Sequence, residues 1–141
     1  MKKIYLIALF FTVFNQSYSQ DKYDIFIEKM GVENDVKAFV NNYIDQLASQ
    51  STNISTAQWE EYKSKIDYSP YLIGIKAILK DIYTITEIDD LLTKNDVISP
   101  INDTGEFIFK PKPEVTERMY KISRTFGKLV NVQLKKMIEA Q

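Results

Sequence analysis

The chain has 141 residues, a formal net charge of −1, and neither histidine nor cysteine. Without histidine there are no Ser-His or Cys-His nucleophile pairs and no His-ligated zinc or haem; without cysteine there are no disulfides, thiolate metal sites or cysteine-linked lipids. The balanced charge gives no basic footprint for nucleic acid, and nine Tyr with eight Phe supply an ample core and argue against disorder.

The first element reads as a secretory leader. Lys2 and Lys3 precede a nearly unbroken apolar run from Ile4 to Phe14. That run is well short of the roughly 20 residues a membrane-spanning helix needs. Ser17 and Ser19 place small residues three and one before a cut ahead of Gln20. The expectation is a cleavable signal peptide over 1–19 and a single helical domain over 20–141. The product would be periplasmic or secreted, with no transmembrane anchor, and losing two lysines would take the net charge from −1 to −3.

Beyond the leader the pattern is helical almost throughout. Tyr23, Phe26, Ile27 and Met30 mark a short helix that Gly31 can end. From about Glu33 to Ser49, Val32, Val36, Phe39, Val40, Tyr43, Ile44 and Leu47 recur at steps of three and four, the stripe of an amphipathic helix. Ser55, three before Gln58, has capping-box spacing and opens a helix to about Ile66, with Trp59, Tyr62 and Ile66 inward. Ser69-Pro70 reads as an N-cap followed by proline at the first helical position. The helix it opens is apolar on more than one side, at Leu72, Ile73, Ile75, Ile78, Leu79 and Ile82, which suits a central position. Thr84 and Glu87 repeat the capping-box spacing, with Tyr83 and Ile88 set as a hydrophobic staple, and that helix runs to about Lys94.

Turn chemistry then interrupts, with Ser99-Pro100, Asn102-Asp103, Gly105, Pro111 and Pro113. Glu106 to Lys110 alternates like a strand but has no partner strand, so it reads as an extended loop pinned by Phe107 and Phe109. Lys110-Pro111-Lys112-Pro113 reads as a rigid lead-in to the last helix. That helix carries a core stripe of Val115, Met119, Ile122, Phe126, Leu129, Val130, Leu134 and Met137 to about Ala140. Gly127 within it costs about 1 kcal/mol against alanine, so a close helix contact is expected there. The fold class is all-α, a bundle of about five helices with one long extended loop before the last.

The order of these elements resembles a known group. A helix ends at Gly31, and Trp59-Glu60-Glu61-Tyr62 leads another. Asp81-Ile82-Tyr83-Thr84-Ile85-Thr86-Glu87-Ile88 is followed by Ser99-Pro100, Gly105, and Pro113-Glu114 opening the closing helix. From Met30 to the C-terminus the chain is similar to the bacterial domain of unknown function 2059 family. It departs in having Val97-Ile98 where Phe-Tyr is common, and in stretching the Ser-Pro to Gly turn from Ser99 to Gly105. The resemblance implies an exported helical domain and brings no activity with it.

No catalytic, metal or cofactor set is legible. The adjacent carboxylates Glu60-Glu61 and Asp89-Asp90 point about 100° apart on a helix and read as solvated faces. Asp96 to Glu106 lacks the alternating ligands of a calcium loop. The residues with the best claim to a binding role are Trp59, Tyr83, Glu87, Phe107 and Phe109, although staple, cap and core duties explain the first three. The favoured reading is a non-catalytic interaction module of the bacterial envelope, contacting an envelope protein, peptide or lipid. The alternative is a hydrolase of envelope material built on two carboxylates from different helices.

Overall fold

The computed structural model describes residues 21–94 and 111–140. The expected leader, and Phe107 and Phe109 with the loop expected before the last helix, lie outside the described residues. Those described form six helices and no strand, the all-α bundle that the sequence pattern suggested: α1 (Lys22–Lys29), α2 (Val32–Gln50), α3 (Thr56–Lys65), α4 (Ser69–Ile82), α5 (Ile85–Lys94) and α6 (Pro113–Glu139). Helix α6, 27 residues long and so about 40 Å from end to end, is the spine. Its broadest contact is with α4, while α5 packs on α1, and α3 on α2.

Local signals set the boundaries. Asp21 caps α1 by accepting from the Tyr23 backbone N–H at 3.1 Å. Gly31 ends that helix at φ +66°, a left-handed conformation that side chains disfavour. Both expected capping boxes form reciprocally. Gln58 N–H donates to Ser55 Oγ at 3.3 Å while Ser55 N–H donates to Gln58 Oε1 at 2.8 Å. Thr84 N–H donates to Glu87 Oε2 at 2.8 Å while Glu87 N–H donates to Thr84 Oγ1 at 3.2 Å. The start of α4 differs from expectation. Ser69 is already helical and Tyr68 is the capping residue; Asp67, one step earlier, accepts from the Ser69 backbone N–H at 2.9 Å. The Asp67 carboxylate takes the Ser69 N–H in a local side-chain-to-backbone turn, and the helix starts one residue earlier than a Ser69 cap would set it.

Burial divides into two clusters strung along α6. The first joins Tyr23, Phe26 and Ile27 of α1, Ile75, Ile78 and Leu79 of α4, Tyr83, Ile88 of α5 and Val115. The second joins Val36, Val40 and Ile44 of α2, Trp59, Tyr62 and Ile66 in and after α3, and Phe126, Val130 and Leu134 of α6. Tyr71 packs against both. Two stripe members stay outside: Phe39 is 73% exposed and Ile73 is 68% exposed. Phe39 sits about 100° round the helix from Val40, past the edge of the seam that α2 turns to α3 and α6. The expected close helix contact at Gly127 is absent, since a Cβ there would meet nothing within 4 Å. It lies instead at Gly74, where a Cβ would stand 2.7 Å from Ile122 Cδ1. The broad α4–α6 contact thus depends on Gly74.

Candidate functional site

Chain entry into α6 is held by one lysine. The Lys112 backbone N–H donates to Tyr83 Oη at 3.0 Å, and Lys112 Nζ donates to the Ile82 carbonyl at 3.1 Å and to Glu87 Oε1 at 2.9 Å. The same ammonium lies 4.5 Å from the centre of the Tyr83 ring, a cation–π contact. Tyr83 in turn offers its carbonyl to Tyr23 Oη at 2.8 Å in a buried bond. The Lys112 ammonium, together with the Thr84 backbone N–H, holds the Glu87 carboxyl below the usual range, and Glu87 raises Lys112 above its own. Half-exposed ion pairs contribute little singly. Here the pair shares its lysine with a helix C-terminus and a buried aromatic, so α4, α5 and α6 are fixed together.

One residue before that lysine, the chain borders an apolar pocket of about 230 Å³. Helix α1 gives it Phe26, Ile27 and the following Met30; α2 gives Val32, α4 gives Ile75 and Leu79, and α6 gives Val115 and Met119. Pro111, next to the clamping lysine, is one wall. Among the described residues, polar groups enter only at Tyr71, whose hydroxyl lies 3.4 Å from Ser123 Oγ, and at Asp35 in the first turn of α2. The lining merges with the first core cluster, so its shape is set by packed side chains. For scale, a dry cavity of about 150 Å³ holds a benzene ring.

Of the residues singled out from sequence, Tyr83 and Glu87 come together at the clamp. Trp59 does not join them. It is 4% exposed in the second cluster, edge-on to Tyr62 at 5.7 Å, and its indole N–H has no hydrogen-bond partner among the described residues. The sequence reading placed Lys112 in the lead-in to the last helix but missed its bonds to Tyr83, Ile82 and Glu87, and it missed Asp35 and the pocket itself. Lys112 carried a faint signal as the last residue before a helix-opening proline, and the pocket carried none.

Carboxylates also gather in a second, open cleft of about 490 Å³ lined by Asp24, Glu28 and Glu33 with Lys76. Asp24 engages Lys76 at 2.6 Å and Glu33 engages Lys37 at 2.6 Å. A general acid at neutral pH needs a carboxyl pushed upward. The carboxyls that depart clearly from their usual values, Asp21, Asp67, Glu87 and Glu117, all go down. The pairs Glu60-Glu61 and Asp89-Asp90 do face solvent: Glu60 pairs with Lys63, Glu61 with Lys65, and Asp89 with Lys22. Among the described residues no three acidic side chains are grouped to hold a metal ion, and no helix is long and apolar enough to cross a membrane. No family model, curated protein or solved structure matches the chain.

Proposed function

We propose that this chain is a non-catalytic binding module that takes a small hydrophobic group into the pocket between α1, α2, α4 and α6. The carrying observation is the pocket's construction: about 230 Å³ of apolar space, continuous with the core, with its Pro111 wall next to the clamped Lys112. A preformed apolar recess with few polar groups is the usual form of a small-ligand site. Ion pairing of Asp24 and Glu33 leaves the carboxylate hydrolase with less support.

The binding test uses the neutral, solvent-sensitive dye N-phenyl-1-naphthylamine. Its emission should rise and shift to the blue with the protein. The rise should be lost in Val32→Phe, which puts a ring into the pocket from the start of α2, while helical circular dichroism is kept. An undiminished response in Val32→Phe overturns this site.

The leader pattern of Lys2, Lys3, Ile4 to Phe14 and Ser17 to Ser19 supports export to the periplasm or the medium. The resemblance read from the sequence to the domain of unknown function 2059 family would agree with that placement, and an envelope protein, peptide or lipid would supply the hydrophobic group. Expression of the full chain in a Gram-negative host should yield a protein outside the cytosol that starts at Gln20. A cytosolic product that keeps its leader would refute export and leave the pocket reading untouched.

A further inference from the structure

We infer that the pocket selects cationic amphiphiles, with Asp35 as the fixed counter-ion at its mouth; the inference rests on the pocket being a binding site. Asp35 is the one charged side chain among the described residues of its lining. The neighbouring carboxylates are already engaged: Glu33 by Lys37 at 2.6 Å, Asp24 by Lys76 at 2.6 Å, and Asp21 by Lys80 at 2.7 Å. Asp35 has no cation partner among the described residues, and it is exposed. It stands in the first turn of α2.

The seam beside Asp35 is open enough for a head group. Helices α2 and α6 run in the same direction there, because Asp35 and Met119 share the pocket while Tyr43 Oη donates to Asn131 Oδ1 at 2.7 Å further along. One turn before Tyr43 stands Phe39, and one turn before Asn131 stands Gly127, whose Cβ position is empty space. Phe39 lies four residues after Asp35 on the same side of α2, and its ring is largely exposed. An ammonium leaving the apolar pocket therefore meets a carboxylate first and an aromatic face second, the two surfaces that attract alkylammonium groups. An anionic head group meets repulsion at the same point.

Three eight-carbon chains that differ in head group separate the outcomes. Octylammonium, octanol and octanoate, each below its micelle concentration, compete with N-phenyl-1-naphthylamine on the purified protein. Octylammonium should displace the dye at a concentration about tenfold below octanoate, the size expected from one exposed ion pair together with its repulsive counterpart. Octanol should fall between, and the gap should shrink in high salt. Asp35→Asn, an exposed substitution whose folding circular dichroism can check, should bring all three together. Equal displacement by the three in the unaltered protein, or a preference that survives Asp35→Asn, overturns the role of Asp35 while keeping the pocket. Failure of every chain to displace the dye overturns the pocket reading itself.

Discussion

The two core clusters along α6 are built to different rules. At the first, apolar packing is laced with polar bonds that cross long sequence distances. Tyr23 reaches the Tyr83 carbonyl, Lys112 joins Tyr83, Ile82 and Glu87, and Asp21 ties α1 to Lys80. At the second, among the described residues, aromatic and aliphatic packing predominates. Trp59 meets Tyr62 edge-on, Tyr68 and Tyr71 lean on Phe126 at 5.9 and 5.3 Å, and the Trp59 N–H is buried without a partner among the described residues. Hydrogen bonds near the second cluster lie at its surface, as between Tyr43 and Asn131 and between Gln133 and the Asp67 backbone. Directional bonds fix positions where non-directional packing only fills volume. The pocket lies at the laced end, where a defined shape is most easily held.

The strongest test of the comparison is whether the two ends share one fate. Ile75 and Ile44 have no accessible surface, one in each cluster. Ile75→Ala and Ile44→Ala should each cost about 2–5 kcal/mol in urea or guanidinium unfolding, the range for removing fully buried branched side chains. Trp59 is the chain's only tryptophan, so its emission reports the second cluster alone while circular dichroism reports all helices. The two signals should unfold at one midpoint, because α6 contributes to both clusters. Separate midpoints would mean that α6 connects two independent units.

A smaller effect tests the lacing directly. Tyr23→Phe removes the donor to the buried Tyr83 carbonyl and should cost about 1–3 kcal/mol, the penalty for stranding a buried acceptor. Tyr43→Phe removes an exposed bond of similar length near the second cluster and should change stability by less than about 0.5 kcal/mol. Equal costs would erase the distinction between the ends.

Sequence legibility follows the range of each interaction. The boxes at Ser55–Gln58 and Thr84–Glu87 close within three residues, and the left-handed turn needs only Gly31, so spacing and residue type reveal them. The Tyr83–Glu87 half of the clamp was legible for the same reason. Lys112 was not, because its partners lie 25 to 30 residues away and meet it only after α6 docks. The glycines show the limit most clearly. Either one satisfies the pattern of a helical glycine, and only the α4–α6 register decides which meets a neighbour. Gly74→Val should therefore cost about 1–3 kcal/mol through crowding at Ile122. Gly127→Ala should stabilise by about 1 kcal/mol, since the methyl enters free space and helix propensity improves. A destabilised Gly127→Ala would show that the α2–α6 seam is closed in solution, which would also remove the room proposed for a head group beside Asp35.

The least of the expected effects is electrostatic and belongs to the laced end. Hydrogen bonding from Lys80, with help from the Tyr23 backbone and Lys76, lowers the Asp21 carboxyl from 3.8 to about 2 in the folded chain. The folded state then binds fewer protons than the unfolded state between those values. Stability from this group is complete above about pH 4 and is lost as pH falls toward 2. Asp21→Asn keeps a competent cap but loses the charge, so its unfolding midpoint should fall less steeply from pH 4 to pH 2 than that of the unaltered protein. Part of the slope should survive, because Glu87 is lowered in the same direction by Lys112. Chemical denaturation across that range measures both. An unaltered slope in Asp21→Asn would mean that the ion pair of Asp21 with Lys80 does not fasten α1 to α4, and that the first cluster, like the second, is held by packing.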